Sequence, residues 1–177
     1  MANCNNITGF TYDSCESNMG GIKKVWLANY VENAAIVDSS TAATNGSITA
    51  FTSAVTTSAW TEFPMRKNVA SMTSTLNVAE EGGTYVTTEL AMVFSKMNTN
   101  KRIAMVALAQ SEAMALVKDS NNKYWFLGKD SPITVSAGTG ETGTAKADPN
   151  HYTVTLTDES EQYPYEVAAN LAPDYEA

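Results

Sequence analysis

Two runs of alternating residues, Val69 to Ala79 and Thr84 to Ser95, flank Glu80-Glu81-Gly82-Gly83, and no other feature restricts the fold of this chain as tightly. Period-two alternation puts successive side chains on opposite faces of a strand. On the return run Val86, Leu90, Met92 and Phe94 share one face, with Thr88 as a polar exception, while Tyr85, Thr87 and Glu89 share the other. Met72, Leu76 and Val78 alternate with Thr73, Thr75 and Asn77 on the outgoing run. About eleven residues per strand extend roughly 35 Å at about 3.3 Å each, longer than most globular strands. A hairpin of that length leaves backbone donors and acceptors along its edges, and other strands or a partner must pair with them.

The residues around the hairpin extend the β reading. Ile22 to Tyr30 is rich in branched and aromatic residues and reads as a first strand. Residues 1 to 21 have no periodic apolar pattern and end in Gly20-Gly21, so they read as an extended arm with at most a short strand at Ile7 to Phe10. Residues 22 to 177 then form one β-rich domain. Between Asp38 and Ala59 the chain is mostly Ser, Thr, Ala and Gly around a strand-like Ser47 to Phe51. A stretch that long reads as a flexible loop, near 38 to 60, that orders against a partner.

After the hairpin the period changes. Asn98-Thr99-Asn100 offers N-cap chemistry, and Ile103, Val106, Ala107 and Gln110 to Met114 keep helical spacing, so a helix is expected from near Thr99 to near Met114. Lys101 and Arg102 in its first turn oppose the helix dipole, a mild departure that reads either as cations facing a partner's acid or as one without consequence. A second hairpin is expected from Ala115 to Lys118 and Lys123 to Gly128. Its turn, Asp119-Ser120-Asn121-Asn122, tolerates left-handed backbone and bonds its own amides. With Ile133 to Ala137, His151 to Thr157 and Tyr165 to Ala168, the count is about eight strands and one helix, a mainly β fold of sandwich or barrel type with a packed helix.

Charge narrows the function. Nineteen acidic against eleven basic residues give −8, which disfavours a sequence-independent grip on nucleic acid, because that grip needs Lys and Arg to replace phosphate counterions. Only 17% of residues are charged, with Thr, Ser, Asn and Ala in their place. No apolar run reaches the roughly 18 residues of a membrane span, and the N-terminal residues lack the basic and apolar regions of a secretory signal, so synthesis in the cytoplasm is expected. Cys4 and Cys15 are too few for a disulfide framework and read as free thiols, with a local disulfide as the minor alternative.

Catalytic and cofactor motifs fail on context. Gly138-Thr139-Gly140-Glu141-Thr142-Gly143 matches a dinucleotide fingerprint, yet a β-branched strand follows where the motif needs a helix, so a flexible connection between strands is the simpler reading. His151 is the one histidine, and no nucleophile of known context accompanies it. Glu80-Glu81 and Asp158-Glu159-Ser160-Glu161 read as solvated edges. Trp26, Trp60 and Trp125 have apolar neighbours that favour burial over a sugar-binding face. No catalytic, cofactor-binding or metal residue is nominated, and the chain reads as a non-enzymatic structural protein.

The order of elements resembles the tail tube proteins of long-tailed bacteriophages and the related tube subunits of contractile injection machines. The resemblance rests on the hairpin Val69 to Ser95, the helix near Thr99 to Met114, the segment Ala115 to Gly128 and the closing Asp148 to Leu156. Gly20-Gly21-Ile22-Lys23-Lys24-Val25-Trp26-Leu27-Ala28 is also similar to structural proteins from phages of gut Bacteroidetes. The resemblance covers most of residues 22 to 168 and includes no catalytic motif. It implies a virion protein made in the host cytoplasm, whose copies join sheets into a ring of about six, stack into a tube and pass DNA through the lumen, with other tail or neck proteins as partners. About six copies at −8 each sum to about −48, and an acidic lumen would let DNA slide. Candidate lumen or subunit-contact residues are Glu80, Glu81, Glu89, Lys101 and Arg102. The alternatives are a single-ring neck or tail adaptor of a crAss-like phage, and a sugar-binding or adhesin module, which would be monomeric.

Overall fold

The computed structural model describes residues 18–38, 46–52, 59–67, 69–80 and 82–174. Cys4, Cys15, the strand expected at Ile7 to Phe10 and Glu81 lie outside the described residues.

Among the described residues eleven strands and one α-helix follow in chain order: β1 Ile22–Asn29, β2 Ala35–Asp38, β3 Ser47–Phe51, β4 Thr61–Glu62, β5 Ala70–Val78, β6 Thr84–Ser95, α1 Thr99–Ala109, β7 Ala113–Asp119, β8 Tyr124–Leu127, β9 Thr134–Glu141, β10 His151–Ser160 and β11 Tyr165–Val167. They form two sheets, one of seven strands in the order β2-β3-β11-β8-β7-β1-β4 and one of four in the order β5-β6-β10-β9. The fold is mainly β, a sandwich with one helix and no closed barrel.

The expected long hairpin is β5 and β6, paired antiparallel from Ala70 opposite Met92 to Val78 opposite Thr84. Its apolar face is the inner one. Leu90, Met92 and Phe94 of β6, with Val154 and Leu156 of β10, pack on Val25 and Leu27 of β1 and on Ala115 and Val117 of β7. Burying such side chains contributes about 1.5–3 kcal/mol each, which makes this inter-sheet layer the main source of stability.

A second apolar cluster lies on the opposite face of the seven-stranded sheet. It joins Trp26, Met114, Leu116, Tyr124 and Phe126 to Ile48 of β3 and Val167 of β11. The sheet curls until Phe51 of β3 meets Trp60, just before β4, with ring centroids 5.9 Å apart. Trp26 and Trp60 are buried in this cluster, and Trp125 is half-buried with its indole N–H donated to Asp119.

Two expectations need correction, and one strand-like segment is located. The helix ends at Ala109, and Ala113 and Met114 already belong to β7, held by pairing to β1 with Asn29 opposite Ala113 and Ala28 opposite Met114. Strand β7 is buried on both faces from Ala113 to Val117, so it shows no period-two alternation and its start imitates a helical run. The strand-like Ser47 to Phe51 expected within the stretch near 38 to 60 is strand β3 of the seven-stranded sheet, with Ile48 fully buried, because β2 and β11 pair on its two sides. Residues 39–45 and 53–58 of that stretch lie outside the described residues. Finally, Gly138 to Glu141 continue β9 along β10 and are not a connection.

The β7–β8 turn forms as its residues suggest. Asp119 Oδ1 accepts the backbone N–H groups of Asn121 and Lys123, and Asn122 is left-handed at φ 64°. The turn also receives the approach to β1: Met19 N–H donates to Asn121 Oδ1 at 2.8 Å.

Candidate functional site

The four-stranded sheet has one face against the core and one face open. Strand β10 supplies buried Val154, Leu156, Asp158 and Ser160 to the inner face and His151, Thr153, Thr155, Thr157 and Glu159 to the open one. Along β6 the open face carries Tyr85, Thr87, Glu89, Ala91, Val93 and Ser95. In β9 an extra residue, Ser136, bulges between Val135 and Ala137. The bulge turns Ala137, Thr139 and Glu141 outward and Gly138 and Gly140 inward.

The open face is therefore a lawn of threonine and serine with three carboxylates, Glu89, Glu141 and Glu159, all exposed. Glu89 stands between Thr73 and Thr157 on the neighbouring strands. None of the four strands contains a Lys or Arg, so all eleven cations of the chain belong to other segments. An anionic polymer lying on this face would meet hydroxyls and negative charge, and no counter-charge.

The two edges of this sheet are long. Strand β5 has nine residues and β9 has eight, and neither contains the Lys or Pro that commonly blunts an edge. Each edge has a row of ladder groups without a strand partner among the described residues. All three internal pairings are antiparallel, so β5 and β9 run in opposite directions. Placing β9 of one copy beside β5 of the next continues the same antiparallel alternation.

The ends of the sheet differ in character. At the hairpin end Leu76 and Val78 are 49% and 70% exposed although they lie on the inner face, because β5 and β6 run past the edge of the seven-stranded sheet, and Tyr85, 45% exposed, lies on the open face. Glu80 lies in the turn there, held by Ala79 N–H to Gly83 O at 2.8 Å. At the opposite end of β6 the chain enters α1, whose first turn is capped by Asn98 Oδ1 accepting the Lys101 N–H at 2.8 Å. The Lys101 ammonium is directed at the carbonyls of Ser95 and Lys96, which leaves Arg102 as the exposed cation of the first turn. Glu80 and Arg102 are therefore at opposite ends of one strand, and the structure does not bring them into one site.

The buried polar groups sit on the inner face near the hairpin end. Thr88 shares a hydrogen bond with Ser74 at 2.8 Å, and Asp158, cross-strand from Thr88, is 3% exposed. Burial pushes the Asp158 carboxyl up to about 6, against the hydrogen bond from Gly128 N–H, which favours the charged form, while Asp130 and Glu159 raise it further.

No family model, curated protein or solved structure matches the chain.

Among the described residues no three or more His, Cys, Asp or Glu are grouped so as to hold a metal ion, and no helix is long and apolar enough to cross a membrane. The fingerprint-like glycines open no helix: β9 ends at Glu141, and Asp148 accepts the N–H groups of Thr144 and Ala145 at 2.7 Å in a tight loop. Those bonds hold the Asp148 carboxyl below the usual range. Sequence reasoning placed Glu89 on the open face and missed Glu141 and Glu159. The alternation of His151 to Ser160 could have located Glu159, whereas Glu141 depends on the bulge at Ser136.

Proposed function

We propose that the chain is a structural virion protein whose copies join edge to edge into rings that stack as a phage tail tube, with DNA passing through the lumen. The observation that carries this reading is the four-stranded sheet itself, with two long unblunted edges of opposite direction and an open face without a single cation. A monomer must shield such edges from pairing at random. A closed ring pairs each with a neighbour and leaves none exposed.

In this reading the open face lines the lumen. Its threonine hydroxyls hydrate the channel, and Glu89, Glu141 and Glu159 repel phosphate, so DNA is guided without being held. The inner face of the same sheet stays anchored to the seven-stranded sheet, which forms the outer wall and carries Lys23, Lys24, Lys118, Lys123 and Lys129 on or beside its strands.

Light scattering after size exclusion, followed by negative-stain electron microscopy of the same fractions, tests the reading. Rings or tubes with a lumen wide enough for duplex DNA are expected, and the double variant Thr75→Lys/Thr139→Lys, which charges both edges, should reduce lateral assembly at least roughly tenfold with unchanged circular dichroism. Single rings that never stack would favour the neck adaptor. A protein monomeric at every concentration would exclude ring formation altogether.

A further inference from the structure

We infer that the hairpin tip of one copy docks on the exposed side of α1 in the next copy, so that copies stack head to tail along the strand direction. The inference deepens the tube reading, on which it rests for its setting, by naming the two surfaces that join one ring to another.

Both surfaces are apolar and both are open. The tip presents Leu76 and Val78 on its inner face, with Tyr85 on the reverse, and the helix presents Ile103 and Val106 at 55% and 50% exposure. Beside Val106, a groove of about 260 Å³ runs between α1 and strands β9 and β10, floored by Gly138 and Gly140. Gly138 leaves room there for a side chain from outside, since a Cβ at this position would meet only the Thr153 carbonyl oxygen at 3.8 Å, whereas Gly140 is covered by Tyr152 and Met97.

Charge matches the same way. Glu80 at the tip and Arg102 on the helix each lack an ion-pair partner among the described residues. Arg102 lies in the first helical turn, where the peptide dipoles already concentrate positive charge, and no acidic residue of that turn offsets it. Exposed Lys96, just ahead of the helix, adds to the same field. A carboxylate arriving from outside is attracted by all three.

Geometry excludes an internal contact. The twelve residues of β6 separate the tip from the start of α1 by roughly 40 Å. Two different patches that recognise each other on separate copies make a heterologous contact, and such a contact repeats without closing. It also runs along the strands, whereas edge pairing runs across them, so stacking and ring closure use separate surfaces.

The test uses the full chain with Val78→Asp, Arg102→Glu and the exchanged pair Glu80→Arg/Arg102→Glu, each compared with wild type by light scattering and negative-stain microscopy at equal concentration. The substituted side chains are exposed, so melting temperatures should stay near wild type. Val78→Asp and Arg102→Glu are expected to lower the number of stacked particles at least roughly tenfold while single rings persist, and the exchanged pair should recover most of the stacking that Arg102→Glu alone removes. Stacks equal to wild type in both single variants would overturn the inference and leave the tube reading standing. Linear stacks without rings in wild type, lost on Val78→Asp, would uphold this contact and overturn the ring. A wild-type protein that never associates would overturn both.

Discussion

The Asp158 carboxylate accepts the backbone N–H of Gly128 inside the sandwich, and its Oδ1 has no hydrogen-bond partner among the described residues. The four-stranded sheet is thereby tied to the residue that follows β8 in the seven-stranded one.

A pH dependence follows from the burial of Asp158. The folded protein keeps this proton to about pH 6, whereas the unfolded chain releases it near 3.8. The native state therefore binds more protons at this group between these values, and the contribution of Asp158 to stability is fully present below the lower one and falls as pH rises through the interval, by up to about 3 kcal/mol, against the opposite trend of Asp148 and Asp174. Asp158→Asn removes the charge, so its melting temperature at pH 7.5 should exceed wild type and vary less between pH 4 and 6.5. Scanning calorimetry across that range checks this; an Asn variant with the wild-type slope would rule it out.

Gly128 has a backbone reason to be glycine. Its φ is +85°, and an added Cβ would lie 3.0 Å from the Met114 Cα, an atom of the adjacent strand that cannot swing aside. Gly128→Ala should lower stability by about 2 kcal/mol, read from denaturant midpoints. A change below about half a kcal/mol would show that the β7–β8 segment can shift.

Helix α1 depends on its cap, since Leu108 is its one buried residue. Asn98→Ala removes the acceptor for the Lys101 N–H and should cost about 1 kcal/mol. Amide exchange in Thr99–Ala109 should accelerate before that of β6. Equal acceleration in both would mean that helix and sheet open together.

The open face of the four-stranded sheet can be given the opposite charge character. Thr87 and Thr155 both lie on it, so Thr87→Lys/Thr155→Lys puts cations where none exist. Assemblies of this variant should retain duplex DNA at about 50 mM salt and release it by about 200 mM, while wild-type assemblies retain none at either. Equal retention by both would mean that this face does not line the channel.

Much of the fold was legible because local signals agreed. Alternation in Thr84 to Ser95, the Asn98 cap and the Asp119 turn each specify an element without help from distant residues. Strand β7 resisted because both its faces are buried, which erases period two. The glycines of β9 read as a connection because an edge strand with small side chains resembles a loop in composition. Leu76 and Val78 were placed on the correct face, yet their exposure depends on where the seven-stranded sheet stops, a tertiary fact. Of the candidate charges, Glu89 was legible from alternation, whereas the turning of Lys101 toward its own chain depends on how closely α1 follows β6.

Strand β7 gives Ala113, Ala115 and Val117 to the layer between the sheets and Met114 and Leu116 to the cluster behind. Neither cluster can lose its packing while the other keeps this strand in place. Two apolar clusters among the described residues should therefore share one melting event: unfolding is expected to be cooperative across both, calorimetric and van't Hoff enthalpies should coincide, and a cavity cut at Leu116 should weaken the inter-sheet layer it never touches.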